Sequence, residues 1–158
     1  MSTTSNKVEH KAAGEQETKT GLTLRVVSFG YKMGKPPVAN AIFDVRFLKN
    51  PYWVENLRPM TGKDKPVQEY VMNQKIARDF FDGLIDLLGR LLPMLQENNM
   101  TEYHIAFGCT GGQHRSATMV ELMASELARR FPELTVERHH RELDGKSEVK
   151  SDSSEDGK

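Results

Sequence analysis

The segment from Tyr103 to Phe131 constrains the fold more than any other part of the chain. A short apolar run, YHIAF, leads into the glycine-rich segment GCTGGQHRS, which continues directly into the helical pattern of Ala117–Phe131. A strand that passes through a glycine-rich loop into a helix is typical of parallel α/β sheets. In such sheets ligands bind beyond the carboxyl ends of the strands, where this loop would lie.

Further strands and helices alternate along the rest of the sequence. Besides the third strand at Tyr103–Phe107, we predict strands at Leu22–Phe29, Ala41–Leu48 and Leu134–His139, where β-branched and apolar residues are concentrated. The predicted fold class is therefore α/β, with a small, mostly parallel sheet covered by helices in a single domain.

A long loop and a long helix are predicted between the second and third strands. The segment Asn50–Lys65 contains two prolines, a glycine and two adjacent aromatic residues, so we predict an ordered loop. Its unusual length makes it a candidate functional segment. Apolar residues from Ala77 to Leu95 then recur at steps of three and four, which predicts an amphipathic helix that starts near Pro66.

Composition and length limit the chain to one ordered domain. Hydrophobic residues make up 37% of the 158 residues, below the usual share, because both ends are polar. We predict a disordered tail at 1–20 and a disordered acidic tail at 142–158, which leaves a domain at 21–141. Lysine plus arginine equals aspartate plus glutamate (22 each), so overall charge does not favour nucleic acid or a membrane as partner.

Targeting signals and metal-ligand patterns are not found in the sequence. The polar N-terminus does not resemble a signal peptide, and the longest apolar stretch, Leu84–Leu95, is interrupted by charges, glycine and proline. The single cysteine, Cys109, fits a reducing compartment, so we expect a cytoplasmic protein without membrane contact. No histidine lies at a zinc-ligand spacing from Cys109, and we expect neither a metal nor another cofactor.

The segment Cys109–Ser116 carries residue types that bind a phosphoryl group. Gly111 and Gly112 allow a tight turn with inward-pointing amides, and the start of the following helix adds partial positive charge. Arg115 supplies a planar fork that matches phosphate oxygens. The predicted phosphate-binding residues are Cys109, Thr110, Gly111, Gly112, Gln113, His114, Arg115 and Ser116.

The same segment has the Cys-x5-Arg-Ser spacing of cysteine-dependent phosphatases. Cys109 would then be a thiolate nucleophile activated by the helix terminus and Arg115. A carboxylic acid would also have to protonate the leaving group, and spacing marks out neither Asp44 nor Asp64 for that role. Gly108 stands where such phosphatases usually have histidine. We therefore predict binding without catalytic residues, and keep the phosphatase with Cys109 and Arg115 as the alternative.

Four motifs follow one another along the chain: SFGYKMG (28–34), FDVRFLKNPYW (43–53), LRPMTGKDKPV (57–67) and GCTGGQHRS (108–116). Together they resemble the C-terminal domain of the RapZ/YvcJ family of RNase adapters and nucleotide-binding proteins, over roughly residues 22–141. The resemblance implies an α/β domain that binds a phosphorylated small molecule, either an amino-sugar phosphate or a nucleotide. In the RNA-regulating branch it also implies RNA contact. It leaves homo-oligomerisation open.

The sequence departs from this family in three respects. The G-x-x-x-x-G-K-[ST] motif of the family's N-terminal P-loop domain is not present, so nucleotide hydrolysis by that route is not expected. Tyr52 stands where we associate the family with histidine, so ligand preference is expected to differ. The C-terminal tail is acidic, whereas RNA-regulating members end in a basic run, which disfavours the adapter role.

Four polar residues outside the glycine-rich segment are further candidates. Asp44 and Arg46 share one face of a predicted strand, where a local ion pair and ligand contact are equally reasonable. The resemblance favours ligand contact, with Asp44 accepting from sugar hydroxyls and Arg46 or Arg58 approaching phosphate. Asn50 would contribute similar polar contacts.

Two other groups of residues favour a structural interpretation. Tyr52 and Trp53 are expected to anchor their loop to the core rather than to stack on a ligand. A late basic cluster is more typical of a solvated face than of an RNA-binding surface. The cluster comprises Arg129, Arg130, Arg138, His139, His140 and Arg141. The sequence thus predicts a module that binds or senses a phosphorylated small molecule, with a regulatory or RNA-binding adapter role compatible with it.

Overall fold

Four parallel strands form the sheet at the centre of the computed structural model, which describes residues 21–146. They are β1 (Thr23–Gly30), β2 (Ala41–Asp44), β3 (Glu102–Cys109) and β4 (Thr135–His140), in the spatial order β2-β3-β1-β4. All three neighbouring pairs are parallel. The predicted α/β class, with a parallel sheet in one domain, is confirmed.

Three α-helices pack on one face of this sheet. They are α1 (Lys65–Met72), α2 (Lys75–Glu97) and α3 (Arg115–Arg130). Each contributes buried side chains to one apolar core, which also contains alternate residues of β1 and β3 such as Leu24 and Ile105. Alternation along the strands sends the intervening side chains to the opposite face.

A smaller apolar cluster lies on that opposite face. Val27, Phe29 and Ala106 form it, and Tyr31 and Ala39, from the connection between β1 and β2, pack against it. The helical layer is therefore one-sided, whereas the prediction of a sheet covered by helices did not specify a side. Within residues 21–146 no helix is both long and apolar enough to span a membrane.

The predicted long helix is two helices, because capping side chains interrupt the pattern at Asn73 and Gln74. Gln74 has an extended backbone (φ −76°, ψ 129°), and its side-chain amide donates to the carbonyl of Val71 at 3.2 Å. Arg78 donates to the carbonyls of Met72 and Asn73 at 2.9 Å. These bonds satisfy carbonyls at the end of α1, so the helix stops there and α2 begins at Lys75.

Strand β2 is also shorter than predicted, ending at Asp44 instead of Leu48. The Asp44 carboxylate accepts a hydrogen bond from the backbone N–H of Arg46 at 2.9 Å. A side chain that captures the backbone two residues later favours a turn over a continued strand.

The structure describes five residues beyond the predicted domain boundary at 141. Glu142 accepts a hydrogen bond from the backbone N–H of Gly30 at 2.6 Å, and Asp144 accepts one from that of His140 at 2.8 Å. The predicted tail at 1–20 and residues 147–158 of the predicted acidic tail lie outside the described residues.

Candidate functional site

The connection between β3 and α3 folds tightly around the sulfur of Cys109. The backbone N–H of Gly112 donates to Sγ at 3.3 Å, and Ser116 Oγ lies 3.1 Å from the same atom. Gly112 has a left-handed backbone (φ 72°), and a Cβ there would lie 2.6 Å from the backbone nitrogen of Gly30. Glycine is therefore required for this turn to pack against the end of β1.

Arg115 places a buried positive charge at the first residue of α3. Its side chain is only 5% exposed, and Nη1 donates to the carbonyls of Arg46 and Leu48, each at 3.0 Å. Nη2 donates to Thr110 Oγ1 at 3.3 Å, while Nε is buried without a hydrogen-bond partner. Within the described part of the chain, no carboxylate forms a salt bridge with Arg115. The hydrogen bond from Arg46 and, after it, the charge of Arg115 lower the pKa of Asp44. Arg115 and Asp44 nevertheless do not pair directly, so the buried guanidinium keeps positive charge that an anionic ligand would neutralise.

The start of α3 leaves its first backbone amides without a side-chain cap. His114 occupies the N-cap position and makes no capping hydrogen bond. Its ring is 7% exposed, with Nε2 3.3 Å from the carbonyl oxygen of Arg58. Uncapped N–H groups carry the partial positive charge of the helix terminus, which adds to the charge of Arg115.

A pocket of about 480 Å³ opens beside this loop. Its walls come from the connections that follow β1, β2 and β3, three adjacent strands, and it therefore lies beyond their carboxyl ends, as predicted for the loop. Among the described residues that line it there are two cations of fixed charge and no carboxylate. The lining residues are Lys32, Met33, Asn50, Tyr52, Trp53, Cys109, Thr110, Gly111, Gln113, His114 and Arg115.

Most predicted binding residues of the glycine-rich segment are on the pocket wall, together with Asn50. Gly112 and Ser116 are not; they lie behind the wall and contact the Cys109 sulfur. Asn50 has a local role as well, since its Oδ1 accepts from the backbone N–H of Tyr52 at 3.1 Å.

The structure does not bring the other three predicted residues to the pocket wall. Asp44 and Arg46 form a half-exposed ion pair at 2.6 Å, and the Arg46 guanidinium lies 4.1 Å from the ring centroid of Tyr31. The hydrogen bond from Arg46 is the main cause that lowers the pKa of Asp44. Arg58 donates through Nε to the carbonyl of Tyr52 at 2.8 Å. Ligand contact by these three residues stays a prediction.

Sequence reasoning missed two residues of the pocket wall and favoured a structural role for two others. Lys32 and Met33 follow β1 inside the first of the four motifs, yet nothing local marks them as ligand-facing. Tyr52 and Trp53 are 46% and 76% exposed, so the expectation that they anchor their loop to the core is wrong. The motif NPYW, with a proline that fixes the turn before two aromatic residues, is the signal that could have found them.

The late basic cluster is largely neutralised by neighbouring acids. Arg129 and Arg130 both pair with Glu126, and their hydrogen bonds, that of Arg129 first, lower the pKa of Glu126 to about 2. Arg138 pairs with Glu121. Paired charges contribute little to attracting a polyanion, so the structure gives no support to an RNA surface here.

Sequence comparison with known proteins places this chain in a family. The family model described as the RapZ C-terminal domain matches residues 22–144. The nucleotide-binding protein YvcJ of Bacillus subtilis is 49% identical over 117 residues, covering 74% of this chain and 39% of that protein. A nucleotide-binding protein of Staphylococcus haemolyticus is 42% identical over 150 residues, covering 95% and 49%. The chain thus spans less than half the length of these curated relatives.

Proposed function

This chain belongs to the RapZ C-terminal domain family, and we propose that it binds a phosphorylated small molecule as a sensing module. The observation that carries the proposal is Arg115, a buried cation with an unpartnered Nε at the uncapped start of α3. A phosphate group would supply the missing anion. The names of the relatives, nucleotide-binding proteins, support a ligand that carries phosphate.

The pocket wall offers several donors that can converge on phosphate oxygens. Arg115, Thr110 and the residues that lead into α3 line the pocket, and Lys32 adds a second cation. Charge-assisted hydrogen bonds contribute about 1.5–3 kcal/mol each, so two or three of them give useful affinity. We assign the module a regulatory role. Cys109 is a free thiol, which fits the reducing environment of the cytoplasm.

We expect inorganic phosphate and AMP to stabilise the protein against heat. A ligand at a hundred times its dissociation constant adds about 2.7 kcal/mol, which for a domain of this size raises Tm by on the order of 10 °C. Differential scanning fluorimetry and titration calorimetry measure the effect, with adenosine as the unphosphorylated control. If neither compound binds and no other phosphorylated sugar or nucleotide shifts Tm, the proposed function is wrong.

The geometry around Cys109 is the observation that keeps a phosphatase as second candidate. Its sulfur accepts a hydrogen bond from the Gly112 amide and lies 3.1 Å from Ser116 Oγ, and Cys109 lines the pocket together with Arg115, as a nucleophile would. The missing acid weighs against it. Asp44 is paired with Arg46, and within residues 21–146 no carboxylate lines the pocket. Without a proton donor, an alkoxide leaving group is a poor one.

The position before the cysteine is closed to histidine for a packing reason. A Cβ at Gly108 would lie 2.5 Å from Cζ of Phe29 and 2.6 Å from Cε2 of Tyr31. Phe29 is fully buried, so its ring has little room to move away. The histidine that phosphatases usually carry here therefore does not fit this fold.

The variant Cys109→Ser should retain most of the affinity for phosphate and AMP. Serine preserves the approximate size of the side chain and can bond to Gly112 and Ser116. The wild-type protein should show no hydrolysis of p-nitrophenyl phosphate that depends on Cys109, measured by phosphate release. Turnover by the wild type that disappears in Cys109→Ser would establish the phosphatase instead of the binding module.

A further inference from the structure

Two side chains that follow β4 hold both backbone polar groups of Gly30, at the end of β1. The Glu142 carboxylate accepts a hydrogen bond from the Gly30 N–H at 2.6 Å, and Arg141 Nη2 donates to the Gly30 carbonyl at 3.2 Å. Arg141 Nε also donates to the Glu142 carboxylate at 3.0 Å, so the two side chains form one unit around Gly30. The Glu142 side chain is only 9% exposed, and shielding from water strengthens such hydrogen bonds.

Gly30 is also the point at which β1 contacts the glycine-rich loop. A Cβ at Gly30 would lie 2.6 Å from the carbonyl carbon of Gly111 and 2.9 Å from the backbone nitrogen of Gly112. From the other side, a Cβ at Gly112 would lie 3.1 Å from Cγ of Glu142. The end of β1, the turn of the loop and the Glu142 side chain are therefore packed against one another, and close packing transmits a shift of one to the others.

The chain beyond Gly30 continues into the pocket wall. Tyr31–Met33 form a short 3-10 turn, in which Lys32 and Met33 line the pocket. The backbone N–H of Lys32 donates to the carbonyl of Thr110 at 3.1 Å, which ties this turn to the glycine-rich loop. Arg141 and Glu142 are not among the described residues that line the pocket, so they can affect a bound ligand through these connections and not by contact.

We propose that Glu142 is a positioning residue for the anion site: by fixing Gly30 it holds the glycine-rich loop and the Lys32 turn in the arrangement that binds phosphate. This inference rests on the proposed function, since the site it positions is the proposed one. Charge alone predicts the opposite effect. Removing a carboxylate close to an anion site should raise the affinity for an anion, whereas removing a positioning residue should lower it.

The test measures the affinity for inorganic phosphate by titration calorimetry in three variants of Glu142. Glu142→Ala should bind phosphate about 5- to 10-fold more weakly, the equivalent of one lost hydrogen bond. Glu142→Gln keeps an oxygen that accepts the Gly30 N–H and loses the charge, so it should bind phosphate at least as tightly as the wild type. Glu142→Asp keeps the charge on a side chain one methylene shorter, and should weaken binding as alanine does.

Hydrogen–deuterium exchange provides a readout that does not depend on a ligand. Peptides that cover residues 28–34 and 108–114 should exchange faster in Glu142→Ala than in the wild type, and at the wild-type rate in Glu142→Gln. Glu137→Ala is the matched control. Glu137 lies on β4 and pairs with Arg25 of β1 at 3.1 Å, so its loss removes the same charge and another contact between these strands away from Gly30. This variant should keep the phosphate affinity and the exchange rates of both peptides.

The outcomes separate this inference from the proposed function. Phosphate affinity in Glu142→Ala equal to or above that of the wild type, or a Glu142→Gln variant as weak as Glu142→Ala, would overturn the positioning role and leave the anion site standing. Equal acceleration of exchange in Glu142→Ala and Glu137→Ala would do the same. If the wild type bound no phosphorylated compound, the proposed function would be wrong, and the exchange rates would still decide whether Glu142 holds the loop.

Discussion

Replacing Arg115 with alanine should lower the affinity for inorganic phosphate and for AMP at least about 100-fold. The substitution removes the buried cation at the start of α3 and the two N–H donors of Arg115 that the protein leaves unused, which a bound phosphate would accept. At about 1.5–3 kcal/mol each, the loss of two such bonds reaches this size. Titration calorimetry on the wild type and the variant measures the change directly.

The controls must separate ligand binding from folding. Arg115 also holds the carbonyls of Arg46 and Leu48, so the alanine variant leaves both acceptors without that donor and should melt at a lower temperature. Arg115→Lys retains the charge without the planar fork and should recover little affinity. Arg130→Ala, at the far end of the same helix, should bind phosphate normally. A folded Arg115→Ala protein with wild-type affinity would exclude the phosphate site.

Replacing Gly62 with alanine should destabilise the fold and weaken phosphate binding together. A Cβ at this position would lie 2.3 Å from the backbone nitrogen of Thr118 and 2.5 Å from the carbonyl oxygen of His114. Because both are backbone atoms of the first turn of α3, the loop must move away and lose its 2.8 Å hydrogen bond to Gln113. Overpacking of this kind costs about 1–3 kcal/mol or more, measurable by urea unfolding.

A second glycine-to-alanine change provides the matched control. Gly83 lies in the interior of α2, is exposed, and would have no atom within 4 Å of an added Cβ. Alanine is the better helix former, so Gly83→Ala should stabilise the protein by about 0.5–1 kcal/mol. If both alanine variants stabilised the protein, the close approach of the Gly62 loop to α3 would be wrong.

Local sequence carries enough information to predict the loop after β3. The strand, the tight loop and the helix found there are each determined by residues that are close together in the chain. These are the apolar residues up to Phe107, the glycines at 111 and 112, and the helical pattern from Ala117. The break between α1 and α2 could not be read in the same way. Helical periodicity continues across it, and hydrogen bonds from Gln74 and Arg78 decide it.

The pocket walls required tertiary information that local patterns do not contain. Lys32 reaches the site because its backbone N–H donates to the carbonyl of Thr110, a residue far along the chain. Asp44 and Arg46 are predicted to share a strand face, but the turn that Asp44 itself induces ends the strand and pairs the two charges. The exposure of Trp53 follows from the turn that carries it, which composition alone does not reveal.

The all-parallel sheet also bears on how the chain acquires its pocket during folding. Ladder partners such as Ala41 and Ile105, or Thr23 and Thr135, lie more than about sixty positions apart, and no described strand pair is a hairpin. Long-range pairing must close large loops before any contact offsets their entropy, so such topologies fold slowly. The β1–β3 and β2–β3 ladders bring the connections after these three strands together in the native state. A ligand that needs all three therefore acts on the native state alone, and lengthens its lifetime by slowing unfolding.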